Sequence, residues 1–212
     1  MRRERNILMT NQSNTLNNNN QPYNFFYWGP LLFKIKIQQA DLKKCFKLCS
    51  KKSSRANEIL AGVIKHEHYI SPSHSYYAEI IDPYLGPFRH AYNHWYGKTL
   101  TRVSMNMSWV NFMKAGEFNP PHIHTNCDVS SVLFVKVPKK LKEENKKFTG
   151  TGGGPGSVSF SYGEEQPHVI NHKASFPQEG DFFMFPATLK HFVAPFMSKG
   201  ERISISANFR VD

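Results

Sequence analysis

From residue 101 onward the chain is a succession of short alternating or apolar runs divided by turn signals. That succession constrains the fold more than any other feature. "TRVSMNMSWVNFM" (101–113), "DVSSVLFVKV" (128–137), "SVSFSY" (157–162), "DFFMFPA" (181–187), "HFVAPF" (191–196) and "RISISANFRV" (202–211) each read as a strand. The first of them sets Val103, Met105, Met107 and Trp109 on one side. "GTGGGPG" and "EGD" punctuate the series; the glycine run precedes a strand and lacks the Gly-Lys-Ser/Thr ending of a phosphate loop, so it is a hairpin connection.

Before residue 101 the texture is mostly helical. "ADLKKCFKLCSKK" carries Leu42, Cys45, Phe46 and Cys49 at helical spacing, with Asp41 near its start and Lys51 and Lys52 at its end. "SYYAEIIDPYLGPFRHAYNHWYGK" repeats aromatics at helical intervals, and Pro83 and Pro87 predict a break within it, giving one or two helices. "YNFFYWGPLLFKIKI" predicts two short strands about Gly29-Pro30. Helices followed by six or more strands predict a mainly β fold with flanking helices (α+β), an antiparallel sandwich or jelly-roll barrel with the helices outside.

At 212 residues the chain is expected to form one domain, 23–212, with helical support over about 39–97 and a barrel core over about 101–212. Residues 1–22, polar and Asn-rich, are expected to be a flexible tail. The last strand tells more. Ile203, Ile205, Ala207 and Phe209 face one way, and Arg202, Ser204, Ser206 and Asn208 the other. If the apolar face packs on the helices, the polar face lines the barrel interior, and a polar interior serves a ligand.

Composition narrows the classes. No apolar run is long enough to span a bilayer and the N-terminus lacks an apolar signal core, so a cytoplasmic protein without membrane contact is expected. Cys45, Cys49 and Cys127 cannot all pair, which suits a reducing compartment. The formal charge of +11 admits a nucleic-acid partner, but the basic residues are dispersed and no base-stacking motif accompanies them. "KKLKEENKK" mixes both signs and reads as a solvated loop. His90 and His94, four apart on a helix, lack a third candidate ligand nearby and read as surface or packing residues.

The chemistry-bearing pattern lies in "NPPHIHTNCD" (119–128). His122 and His124, at i and i+2 on an extended segment, face the same side, as two ligands of one ion must. His191 opens a later strand, and Arg202 and Ser204 follow as R-x-S. Together they describe a mononuclear metal site with open positions, beside an arginine whose planar fork can hold a carboxylate. Imidazole-rich sites of that kind suit ferrous iron and oxygen chemistry. Asn111 and Asn208 lie on strand faces from which they could reach the same pocket, or they satisfy backbone groups. Phe134 and Phe183 read as core.

The stretches "WVNFMKAGEFNPPHIHTNCDVSSVLFVKVP" and "GDFFMFPATLKHFVAPFMSKGERISISANF" resemble the 2-oxoglutarate/Fe(II)-dependent oxygenases common in tailed phages and marine bacteria. The resemblance implies a double-stranded β-helix (jelly-roll, cupin-like) barrel with Fe(II), 2-oxoglutarate and O2 as cofactors. It implies His122 as first iron ligand, His191 as the distal histidine, and Arg202 with Ser204 on the 2-oxoglutarate tail. The expected activity is a dioxygenase, a hydroxylase, coupling oxidative decarboxylation of 2-oxoglutarate to oxidation of a substrate: a small molecule, a protein or a nucleic acid. The superfamily usually keeps Asp or Glu where this chain has His124. Either His124 replaces that carboxylate, or Asp128 or the cosubstrate supplies the oxygen; Cys127 with zinc is a third choice. The competing expectation is a non-catalytic, structural barrel of a phage or its host. Chemistry of a three-histidine cupin without 2-oxoglutarate would leave Arg202 unexplained.

Overall fold

Alternation in the last strand divides the molecule into a helix-facing side and an interior. The computed structural model describes residues 12–16, 22–26, 28–70 and 74–212. Strands β1 (Gln12–Leu16) and β2 (Pro22–Phe26) pair antiparallel as a separate ribbon. The expected tail, 1–22, otherwise lies outside the described residues. There follow β3 (Phe33–Lys36), α1 (Gln39–Leu48), β4 (Glu67–Tyr69), α2 (His74–Tyr96), β5 (Val103–Met113), β6 (Asn119–His122), β7 (Val129–Lys136) and α3 (Lys139–Lys146). The chain closes with β8 (Val158–Ser161), β9 (His172–Ser175), β10 (Asp181–Pro186), β11 (Lys190–Val193) and β12 (Arg202–Val211).

Two antiparallel sheets result, one in the order β3-β10-β7-β12-β5-β4 and the other β6-β11-β8-β9. From β5 the chain crosses repeatedly between them, staying in one sheet only for the β8–β9 hairpin: β5, β7, β10 and β12 belong to the large sheet and β6, β8, β9 and β11 to the small one. This interleaving is the double-stranded β-helix, mainly β with few helices, as the sequence predicts.

Helices α1 and α2 cover the outer face of the large sheet. Leu42 and Cys45 from α1, Ile80, Ile81 and Phe88 from α2, and Ile203, Ile205, Ala207 and Phe209 from β12 share one buried cluster. The polar residues of β12 (Arg202, Ser204, Ser206 and Asn208) instead line a cavity between the sheets. A second apolar cluster, including Phe134, Phe160, Phe183 and Phe185, fills the remaining interior.

Three local expectations are corrected. Helix α2 runs unbroken through Pro83 and Pro87. Both prolines lie on its exposed side, as does Glu79, whose carbonyl is one of the acceptors left without an N–H, while Tyr77, Ile80, Ile81, Tyr84, Leu85 and Phe88 are buried opposite. The carbonyls that the prolines leave unpaired belong to exposed residues, where solvent can bond them, and apolar packing carries the helix through. The "KKLKEENK" segment is helix α3, not a loop, because Leu141 is fully buried and Glu144 accepts bonds from the Met197 and Ser198 amides at 2.9 and 2.8 Å. Finally, β5 does not keep one face throughout. Asn208 opposes Met107 but Phe209 opposes Met105, so Asn106 is an extra residue, a bulge. Val103 and Met105 pack towards the helices, whereas Met107 and Trp109 line the cavity.

Among the described residues no helix is long and apolar enough to cross a membrane. Ile205, buried completely between the large sheet and the helices, tests the two-sided role of β12. Ile205→Ala is expected to cost about 2–5 kcal/mol of folding stability, read as a lowered urea midpoint.

Candidate metal centre

Strand β6 is the edge of the small sheet, the position where its Pro120 and Pro121 remove no ladder bond that matters. They lead into His122, which directly opposes His191 of β11. Cross-strand neighbours on one face bring their side chains together, and the two imidazole centroids are 4.2 Å apart. His124 follows β6, held by its amide donating to the Ala187 carbonyl at 2.8 Å, with its ring against Trp109.

The ring protons are fixed by the backbone. His122 Nδ1 lies 2.8 Å from the Pro120 carbonyl and His191 Nδ1 2.9 Å from the Leu189 carbonyl. A carbonyl only accepts, so each Nδ1 donates and each Nε2 is left with a lone pair. His124 Nε2 stands 3.2 Å from His191 Nε2, and ligating atoms of the three histidines all lie within 4.8 Å of one another. Two nitrogens each about 2.1 Å from one ion are separated by roughly 3.0–3.4 Å. The His124–His191 pair has that spacing, and His122 lies near enough to join them as a third donor to a single divalent ion.

Burial lowers the pKa of all three: His191 to about 3, His124 to about 4, and His122 also below its ordinary value. The rings are neutral, the form that binds metal. Asp128, the alternative to His124, is not in the cluster. Its carboxylate accepts from Arg210 at 3.4 Å and the Val211 amide at 3.1 Å, and it does not line the cavity. Asn126 takes a left-handed φ of 58° in the intervening turn, so the even spacing from His122 carries no shared face. Cys127 is likewise outside the cavity lining.

The cavity beside the histidines holds about 420 Å³ and is lined also by Trp109, Asn111, Arg202, Ser204 and Asn208. Arg202 is its most unusual member, 1% exposed. One guanidinium nitrogen donates to the Gly156 carbonyl at 2.8 Å and the other to Met113 Sδ at 2.9 Å; Nε has no partner. The Phe134 ring lies beneath it, 5.3 Å from Cζ. Burial lowers its pKa to about 10, which still leaves it charged at neutral pH. Among the described residues no carboxylate is ion-paired with it. Asn111 Nδ2 donates to Ser206 Oγ at 3.2 Å and reaches Ser204 Oγ at 3.5 Å, while its Oδ1 is unpartnered. Asn208 accepts from Ser130 at 2.6 Å. Phe134, read from sequence as core, borders the cavity as well; Phe183 is core only.

Sequence reasoning missed Glu67, a buried carboxyl that lines the same cavity. Its signal was an acidic residue at the centre of the alternating stretch "IKHEHYI".

Residues 107–208 match the family model described as "Putative 2OG-Fe(II) oxygenase". Among solved structures, the chain resembles the viral collagen prolyl hydroxylase of Paramecium bursaria Chlorella virus-1 in complex with 2OG. That match has a TM-score of 0.53 at 14% identity and covers 84% of this chain and 94% of that one. A Pseudomonas putida prolyl-4-hydroxylase matches with TM-score 0.53, 18% identity and coverage of 84% and 91%. A Burkholderia pseudomallei oxidoreductase of the 2OG-Fe(II) oxygenase family matches with TM-score 0.55, 11% identity and coverage of 84% of each chain. At these identities the likeness is one of fold. No curated protein matches by sequence.

The depressed histidine pKa values have a stability consequence. The unfolded chain, with ordinary imidazoles, binds more protons than the folded one between about pH 6.5 and 3, so stability is full above 6.5 and falls as pH drops. In metal-free protein, His124→Gln combined with His191→Gln is expected to flatten the decline of the denaturant midpoint between pH 6.5 and 4.

Proposed function

Taking residues 107–208 as a 2OG-Fe(II) oxygenase domain, we propose that this protein is an Fe(II)- and 2-oxoglutarate-dependent dioxygenase that hydroxylates its substrate. The observation that carries the reading is Arg202, a buried guanidinium with no anion, in the same cavity as three converging imidazoles. An unpaired buried charge is costly by several kcal/mol, and an anionic ligand removes that cost.

His122, His124 and His191 would hold the iron through Nε2, each Nδ1–H of His122 and His191 keeping its ring aimed. Arg202 would receive the distal carboxylate of 2-oxoglutarate, with Nε free to donate and the Ser204 hydroxyl beside it. Asn111 and Asn208 would border the cosubstrate. When bound, iron, 2-oxoglutarate and O2 supply oxidation of an unactivated C–H bond, with 2-oxoglutarate converted to succinate and CO2. The chain's own contribution is positioning and exclusion of water, since Phe134, Phe185 and Trp109 wall the cavity.

Three neutral imidazoles leave the ion's charge undiminished, where an Asp would cancel one unit. That favours a dianionic cosubstrate and weakens retention of the metal. The non-catalytic reading draws on the same replacement, for a barrel that binds no iron has no use for the carboxylate. The 3.2 Å separation of the His124 and His191 Nε2 atoms favours a working site, because it is the spacing of two ligands on one ion.

Anaerobic addition of Fe(II) and 2-oxoglutarate is expected to give the weak visible charge-transfer band of the chelate, and Arg202→Gln to raise the 2-oxoglutarate Kd by about tenfold or more. No band in well-folded protein overturns the reading. His124→Asp is expected to slow metal loss to a chelator relative to wild type, measured by release of bound Fe(II) under argon.

A further inference from the structure

The cavity holds a second uncompensated charge-bearing group, opposite in sign to Arg202. Glu67 in β4 opposes Asn111 of β5, and Arg202 in β12 opposes Met113. Since β5 lies between β4 and β12, Glu67 and Arg202 flank it on the cavity side, with their backbones two strand spacings and two residues apart, about 12 Å. They do not neutralise each other: neither takes part in an ion pair among the described residues.

Glu67 is 1% exposed. Its Oε2 accepts from Asn57 Nδ2 at 3.3 Å, a neutral amide and not a cation. In a chain with 27 Lys and Arg against 16 Asp and Glu, a buried carboxyl without a basic partner is a notable exception, because cations are available almost everywhere else. Burial, with the Glu117 carboxylate nearby, raises its pKa to about 7.

The surroundings of Glu67 resemble a receptacle. A Cβ placed on Gly62 would lie 2.5 Å from Glu67 Oε1 and 2.7 Å from Asn119 Oδ1, so two acceptor oxygens converge beneath a residue without a side chain. Gly62, Glu67 and Asn119 all line the cavity that contains the histidines. The same cavity is bordered by Ile59 and Ile123, large apolar residues left 61% and 47% exposed. Converging acceptors beside exposed aliphatic surface suit a positive nitrogen on an apolar stem.

We propose that Glu67 is the specificity-determining contact for a prime substrate that presents a cationic nitrogen, an ammonium or guanidinium on an aliphatic chain, with Asn119 as second acceptor and Ile59 and Ile123 against the stem. The proposal rests on the oxygenase reading for what happens to that substrate, and not for the binding itself. One cavity then holds two ligands by opposite charge: the cosubstrate anion at Arg202 and the substrate cation at Glu67. Glu67 also ties down residue 57, since its amide donates to Asn57 Oδ1 at 3.4 Å; that is a structural role, and it predicts no preference among ligands.

The test is calorimetric titration of the full chain, with and without Mn(II) and 2-oxoglutarate. The probes are Nα-acetyl-lysine methylamide, Nα-acetyl-arginine methylamide, the neutral Nα-acetyl-norleucine methylamide, and butylammonium. A cationic capped residue is expected to bind at least tenfold more tightly than the norleucine compound, with Glu67→Gln abolishing the difference. Butylammonium binding as well as the capped residues points to a small amine; weaker binding points to a peptide side chain. Equal or tighter binding of the norleucine compound, or a cation preference that survives Glu67→Gln, overturns the proposal. Should Glu67→Gln fail to fold, the wild-type comparison still decides, and Gly62→Ala, which crowds Oε1, is expected to weaken cation binding selectively. Titration of 2-oxoglutarate into wild type separates the two readings. Cosubstrate binding without cation preference sinks this proposal alone, and cation preference without cosubstrate binding sinks the oxygenase reading alone.

Discussion

Strand β12 is the constraint on which the rest of the molecule depends. It is central in the large sheet, paired along its length with β5 and β7, and its alternation assigns opposite solvents to its two faces. Ile203, Ile205, Ala207 and Phe209 need an apolar cover, which α1 and α2 provide. Arg202, Ser204, Ser206 and Asn208 must then point inward, into the cavity between the sheets. A barrel whose middle strand is polar on the inside does not close as a dry core; here it leaves a cavity between the sheets.

Charge within that cavity follows from the same placement. The histidines, desolvated and neutral, offer lone pairs without adding charge. Arg202 contributes a full positive charge that the protein itself leaves unmatched, and Glu67 a carboxyl likewise unmatched. Leaving these groups unmatched costs folding energy that a bound partner of opposite charge would restore. Elsewhere the opposite habit holds: Asp181, buried on β10 beside the edge strand β3, is flanked by both Lys34 and Lys36.

How much of this was legible in the sequence depended on the range of the forces involved. The β12 pattern was legible because period-2 alternation over ten residues reports burial on each face directly. The meeting of His122 and His124 could be anticipated by spacing; His191 entered as a histidine opening a later strand, and its convergence with them needed β6 and β11 to pair. Asp128 shows the limit. An even spacing implies a common face only in continuous strand, and the left-handed Asn126 breaks it. The β5 bulge at Asn106 reversed the face of Met105 for the same reason, and no composition signal marks it. Helix α3 was hidden because one buried leucine among seven polar residues decides it. Glu67 was overlooked because its significance lies in what it fails to contact, a property that emerges only when neighbours from β5, β6 and the 57–62 segment are assembled around it.

The prolines of β6 have an effect beyond shaping the approach to His122. An edge strand ordinarily exposes a row of amide donors that can recruit another strand, from a second molecule or from an unfolded chain. Of the four residues in β6, Pro120 and Pro121 have no donor to offer. The strand that carries the first imidazole is thereby a terminus of the sheet in a chemical sense as well as a positional one. Neighbouring chains are discouraged from zippering onto the edge that carries His122.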